Sequence, residues 1–377
     1  SIWPDLDVAE RNTYGEAVEL FIIFVQGFPT VHDDHTLKTF KPDANIIKRR
    51  QALFREQGSL EVLLLILGKL TPISERLASG DAAAHQFNEG GLLTTARTVV
   101  SVSLKLLAEM TRGNHANQMY VAEFMSVVLS HCSSEKLAAD ITQEMLSTNR
   151  ELQETKMGPE EIVVFSEKLR NSQMSAMFLR LIQACCSCKG VGVSHNQINI
   201  ANILLGRFAA EFIQVSINAE APRPMDWTSN PSSTLYLPPV NSIEADYILG
   251  KVLYTTGSPT ISLTWTNLEK RIQPMALFNK KNVKIWELYE TLNKSKQDSA
   301  SSSLFATSTK QISSEAKSKE VLFKEAVGEF FGAQLSLAAD MCLDRNYTVI
   351  AKLVSLYPFD ALVSIIQKAS TPSFLKA

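Results

Sequence analysis

The stretch Asn45-Ile46-Ile47-Lys48-Arg49-Arg50-Gln51-Ala52-Leu53-Phe54-Arg55-Glu56-Gln57 gathers four cations, Lys48, Arg49, Arg50 and Arg55, within eight residues of a chain whose net charge is −2. Lys48, Ala52 and Arg55 fall at i, i+4 and i+7, one stripe of a helix. Arg49 and Arg50 point elsewhere. Cations on one stripe suit charge-assisted hydrogen bonding to phosphate or carboxylate oxygens. The plainer reading is a solvated basic face. Cations in the first turn of a helix oppose its macrodipole by ~0.3–1 kcal/mol each. An anion or an acidic partner surface would offset that cost.

Other chemistry-bearing residues read as structural. His32 and His35, in Val31-His32-Asp33-Asp34-His35, lack two further ligands at metal-site spacing, so a polar loop is expected there and no metal site. Cys185, Cys186 and Cys188 have no matching second pair and form no CxxC motif. Cys185 shares an apolar face with Met174 and Phe178, which reads as packing. His131 and Cys132 end an apolar helix. The chain has no nucleophile elbow, phosphate-binding glycine loop or zinc-protease motif. No catalytic constellation and no cofactor are expected, so the chain is read as a non-enzyme.

The elements that position these residues are mostly helical. Ala96, Val99, Val100, Leu106, Leu107 and Met110 fall on one helical face, as do Val121, Phe124, Met125, Val128 and Leu129. Met174, Phe178, Leu181, Ile182 and Cys185 repeat the pattern. Breakers separate these runs at Arg112-Gly113-Asn114, Ser133-Ser134, Gly158-Pro159 and Lys189-Gly190. Pro159-Glu160-Glu161 reads as a helix start. Helix pairs recur about every 40 residues, the range of armadillo and HEAT arrays. The expected fold class is therefore mainly α, an armadillo-like α-solenoid. It carries a small β-hairpin insertion, read from two short strands around Thr256-Gly257-Ser258-Pro259. Four segments are expected. Residues 1–155 form a helical domain and 156–214 continue the array. Residues 215–270 are the loop and β insertion, and 271–377 are helical with a mobile Ser-rich loop at 295–318, a phosphorylation region.

Bulk properties exclude some classes. Hydrophobic residues make up 45% and charged residues 20%, as in an ordinary folded protein. The near-neutral charge argues against a nucleic-acid partner. Five cysteines, three of them in one cluster, fit a reducing compartment. The most apolar stretch, LEVLLLILGKL, has six consecutive apolar residues, Val62 to Leu67, far short of the roughly 20 a membrane span needs. No signal-peptide layout is expected at the N-terminus. Asn293-Lys294-Ser295 and Asn346-Tyr347-Thr348 are glycosylation triplets that matter only in a secreted protein. Opening at Ser1 and stopping at Leu375-Lys376-Ala377, the chain reads as a piece of something longer.

The order of phrases RRQALFREQGSLEVLLLIL, EMTRGNHANQMYVAEF, EMLSTNRELQETKM, FLRLIQACCSCKGVGVSHNQ and LAADMCLDRNYTVIAKL resembles the cytosolic helical region of inositol trisphosphate receptors and ryanodine receptors. These are intracellular calcium-release channels. Met341-Cys342-Leu343-Asp344-Arg345-Asn346-Tyr347 is the most specific match, followed by Asn149-Arg150-Glu151-Leu152. Residues 1–15 and about 215–315 match poorly. The resemblance implies an armadillo-like domain on the cytosolic face of the endoplasmic reticulum, with the membrane reached only through a C-terminal pore outside this chain. It implies a homotetramer that passes domain motion to the pore. It implies one wall of an inositol trisphosphate site whose other wall is an upstream β-trefoil domain.

In the family, the helix matching NIIKRRQALFREQ presents three basic residues, which fall here on Lys48, Ala52 and Arg55. A second cluster, Tyr-Arg-Lys just before Asn-Gln, falls on Asn114, His115 and Ala116. Two cations are thus replaced by alanine and one by histidine. At roughly 1.5–3 kcal/mol per charge-assisted hydrogen bond, losing two or three weakens binding by about 3–9 kcal/mol, or ~10² to 10⁶-fold. The candidate ligand set is Lys48, Arg49, Arg50, Arg55, Arg112 and His115, with Arg49, Arg50 and Arg112 compensating by reach. Two alternatives stand beside it. One is a ryanodine-receptor-like region that does not bind the ligand, its cations salt-bridging a neighbouring domain. The other is a soluble armadillo scaffold with a groove for protein partners, in which Asn117, Asn149 and Asn196 would form an asparagine ladder.

Overall fold

The computed structural model describes residues 8–27, 43–79, 92–171, 175–218, 260–265, 282–285, 288, 314–358 and 362. Helices dominate. In chain order they are α1 (Val8–Val25), α2 (Ala44–Glu56), α3 (Ser59–Ser79), α4 (Leu92–Thr111), α5 (His115–Ala122), α6 (Met125–His131) and α7 (Lys136–Thr148). Then come α8 (Arg150–Lys156), α9 (Pro159–Asn171), α10 (Ala176–Ala184), α11 (Ser194–Gly206), α12 (Ser314–Met341) and α13 (Tyr347–Leu353). The protein is mainly α, as its periodicity predicts. It divides into two compact units, one made of 1–172, 177–204 and 339–346, the other of 173–176, 205–338 and 347–377.

In the first unit α1 packs on α4, α3 packs on both α4 and α6, and α7 packs on α4 and α6. The faces read from the sequence are the buried ones: Val99, Val100, Leu106, Leu107 and Met110 are all inside, as are Phe178, Leu181, Ile182 and Cys185. The expected continuous helix through Val121 and Leu129 is instead two. The end of α5 tightens into i→i+3 hydrogen bonds, Glu123 N to Tyr120 O and Phe124 N to Val121 O, and the chain turns before α6. Pro159 opens α9 with Glu160 and Glu161 in its first turn, and the Glu161 carboxylate accepts from Gly158 N at 2.9 Å.

Lys189-Gly190 does more than break a helix. Both residues lie at positive φ, 51° and 79°, and form the two-residue loop of a hairpin between β1 (Ser187–Cys188) and β2 (Val191–Gly192).

Buried amides join these helices. A helix leaves its last four carbonyls without intrahelical partners, and here carboxamides from the next helix start take several of them. Asn117 Nδ2 donates to Met110 O at 2.8 Å and Gln118 Nε2 to Thr111 O at 3.0 Å. Gln153 Nε2 lies 2.6 Å from Leu146 O, 2.6 Å from Ala184 O and 2.9 Å from Ser187 O. Asn196 Nδ2 reaches Cys185 O at 3.2 Å. Each asparagine also ties back to an earlier helix: Asn117 to Gln51 O, Asn149 to His115 O and Asn196 to Gln153 O. All three are buried, and their amides are spent on backbone carbonyls that join the helices.

In the second unit β3 (Gln214–Asn218), β4 (Thr260–Thr264) and β5 (Asn282–Lys284) form an antiparallel sheet in the order β3-β4-β5. The expected hairpin turn at Thr256–Pro259 lies outside the described residues, and the described partners of β4 are β3 and β5. Gln334 of α12 bonds both backbone groups of Ile213, accepting from its N at 2.9 Å and donating to its O at 2.7 Å. Burial raises the pKa of the Tyr357 hydroxyl, which accepts from Gln334 Nε2 at 2.8 Å. Helix α12 begins at Ser314, so the last residues of the segment expected to be a mobile loop are helical. The rest of that loop and the His32–His35 segment lie outside the described residues.

A candidate anion cleft

Helix α2 starts at Asp43, whose carboxylate accepts from Asn45 N at 2.9 Å. Its buried face is Gln51 and Phe54. Phe54 meets Phe21 edge-on, with ring centroids 5.3 Å apart, and Phe24 at 5.8 Å. That packing fixes the rotation of α2 and turns the Lys48–Ala52–Arg55 stripe toward α5.

The turn opposite is built by Gly113 at φ +61°, a left-handed conformation that suits glycine. Asn114 then caps α5, its side chain accepting from Asn117 N at 3.1 Å. Gln51 locks the turn to α2: its Nε2 donates to Glu109 O at 2.7 Å and Arg112 O at 3.1 Å, and its Oε1 accepts from Asn114 Nδ2 at 3.1 Å.

Between helix and turn lies a cleft of about 380 Å³, lined by Lys48, Ala52, Arg55, Gly113, Asn114, His115 and Ala116. The structure therefore brings together the two sequence-distant clusters that the spacing and the resemblance single out. Arg55 Nη1 donates to the neutral Asn117 Oδ1 at 2.8 Å. Among the described residues Lys48, Arg55 and His115 take part in no ion pair, and no carboxylate lines the cleft. Unneutralised cations in a concave, partly desolvated site attract anions.

The other three candidate cations do not line it. Arg50 lies over the Phe24 ring, 4.5 Å from its centroid, and donates to Phe24 O at 2.7 Å. It serves the α1–α2 contact. Arg112 pairs with Glu109 at 2.7 Å and is exposed. Arg49 is exposed on α2, away from the lining residues. Sequence reasoning missed Gln51, which sets the turn, and gave Asn117 a place in a groove ladder where the structure has it holding Arg55. A buried amide looks like any polar helix residue until its partners are known.

Among the described residues no grouping of His, Cys, Asp or Glu could hold a metal ion, and no helix is long and apolar enough to cross a membrane. Burial pushes the Cys132 thiol up to about 12 and raises those of Cys185 and Cys186 further from their ordinary range. The family model of the RIH domain, the region shared by ryanodine receptors and inositol trisphosphate receptors, matches residues 19–214, more than half of the 377, and the chain belongs to that family.

Proposed function

We propose that the chain is a cytosolic regulatory region of an intracellular calcium-release channel of the endoplasmic reticulum, built as an armadillo-like array with a small β insertion. In this reading the cleft is one wall of an anion site completed by an upstream β-trefoil domain. It takes inositol trisphosphate more weakly than a fully basic wall would. Occupancy tilts the helices, and packed helix pairs pass that tilt toward the pore of a tetramer.

One observation carries the proposal: Lys48, Arg55 and His115 converge on a single cleft without a counter-ion among the described residues. Ala52 and Ala116 in the same lining set its strength, since each removes a cation the family places there. The two alanines also favour a second reading, in which Lys48 and Arg55 salt-bridge to carboxylates of a neighbouring domain. The groove-scaffold reading has less support, because the three asparagines are spent on backbone carbonyls.

Equilibrium binding of inositol trisphosphate to the full-length protein, upstream domain included, separates the two main readings. The anion-wall reading expects saturable binding with a dissociation constant weaker than about 10 µM, lost in Lys48→Ala and Arg55→Ala. Absence of binding in the millimolar range favours the interdomain surface.

A further inference from the structure

The positive groups of the cleft are not equivalent. Lysine and arginine are permanent cations near neutrality, whereas histidine is the side chain whose charge changes between pH 5 and 8. His115 is exposed, lines the cleft, and makes no side-chain hydrogen bond or ion pair among the described residues. Its backbone is firmly placed, as the first residue of α5 after the Asn114 cap and as the acceptor, through its carbonyl, from Asn149 Nδ2 at 3.3 Å.

We infer that the cleft takes up its anion together with a proton on His115. The inference rests on the reading of the cleft as an anion site. Helix α5 packs against α2, α4 and α8. The titratable and charged groups they bring near it are Lys48, Arg49, Arg50, Arg55 and Glu56 on α2, and Lys105, Glu109 and Arg112 at the end of α4. Helix α8 adds Arg150, Glu151, Glu154 and Lys156. Glu109 is paired with Arg112, Glu154 with Arg150, and Lys156 with Glu123. Of all these, only Lys48 and Arg55 share the cleft lining with His115.

An anion held beside Lys48, Arg55 and His115 favours the protonated ring, because an opposite charge stabilises an imidazolium. Binding of the anion thus raises the proton affinity of the ring. By reciprocity a proton raises the anion affinity. Affinity is greatest below the range in which histidine titrates and falls as pH rises through it. The proton comes from solvent and returns to it on release, so nothing is oxidised and no covalent bond to the ligand forms.

Phosphates themselves titrate near pH 6 and would mask the effect. The probe is therefore inositol hexasulfate, whose charge is constant between pH 6 and 8, titrated into the full-length protein, upstream domain included, at fixed low ionic strength. Affinity of the unaltered chain is expected to rise about tenfold from pH 8 to pH 6. His115→Gln should be flat at the weaker value and His115→Lys flat at the tighter one. Saturable binding with a pH response equal to that of His115→Gln would overturn the proton coupling and leave the anion cleft standing. Binding absent at both pH values would overturn the coupling and the anion reading beneath it.

Discussion

Arg55 enters the cleft already held. Its guanidinium is steered by Asn117 Oδ1, and Asn117 is itself fixed by donating to Met110 O and Gln51 O. A preset cation loses less freedom on binding than a loose one. Asn117→Ala removes that guide and leaves two buried carbonyls short of a donor. It should lower stability by about 1–3 kcal/mol in urea unfolding. Ala52 and Ala116 make the converse case. Ala52→Arg and Ala116→Lys each add a charge where the lining is neutral. Each should tighten inositol trisphosphate binding by about 1.5–3 kcal/mol, roughly tenfold or more. The cysteines supply a prediction of inertness. Because burial raises their pKa, Cys132, Cys185 and Cys186 stay neutral thiols at pH 8. Mass spectrometry after alkylation should find them unmodified until urea unfolds the chain. Labelling of all three in the native chain would contradict the packing described. At this scale the Lys48–Ala52–Arg55 stripe is legible in the sequence, because helical spacing alone puts the three on one side. The commitment of Arg50 to Phe24 is not, since it needs the position of α1.

At the scale of elements, buried amides join the helices at their turns. Helix ends leave carbonyls exposed, and amides from the following helix start answer them. Gln153 answers three, from Leu146, Ala184 and Ser187, joining α7, α10 and β1 to α8. Gln153→Leu is close in volume but removes those donors. It should cost about 1–3 kcal/mol in denaturant unfolding, with hydrogen exchange rising first at Ala184–Cys188. An unchanged midpoint would mean that water replaces the amide at no cost. The helices themselves are legible, because buried faces at a period of 3.6 leave a plain signal. The split between α5 and α6 is not, because the apolar face continues across the turn and only the hydrogen bonding changes. Asn117, Asn149 and Asn196 stand out in the sequence, yet their unequal spacing hides a common role. Helices α8, α9 and α10 and a hairpin separate the last two, so the interval in residues differs while each stands at a helix start.

For the whole molecule, the most specific phrase of the sequence has its partners far away along the chain. Residues 339–346 belong to the first unit. Gln197 Nε2 donates to Asp340 O at 2.9 Å and Leu343 O at 3.3 Å, and Asn346 Nδ2 donates to Gln197 Oε1 at 3.0 Å. Asp344, at φ +60°, accepts from Gly192 N at 2.7 Å. A Cβ on Gly192 would lie 2.7 Å from Gln197 Nε2 and 2.9 Å from Asp344 Oδ2. Gly192→Ala should therefore loosen this joint and raise hydrogen exchange across 339–346, with smaller changes at α2. The motif is visible in the sequence, but its partners sit some 150 residues earlier, and no local pattern encodes that separation.

In the proposed function the cleft between α2 and the Gly113–Ala116 turn holds an anion. Calorimetric titration of inositol trisphosphate into the full-length protein, upstream domain included, at low salt tests this most directly, beside Lys48→Ala, Arg55→Ala and the Ala52→Arg, Ala116→Lys double variant. Weak saturable binding is expected, lost in the two alanine variants and strengthened at least tenfold in the double variant. Binding indifferent to all of these substitutions, or none even in the double variant, would contradict it.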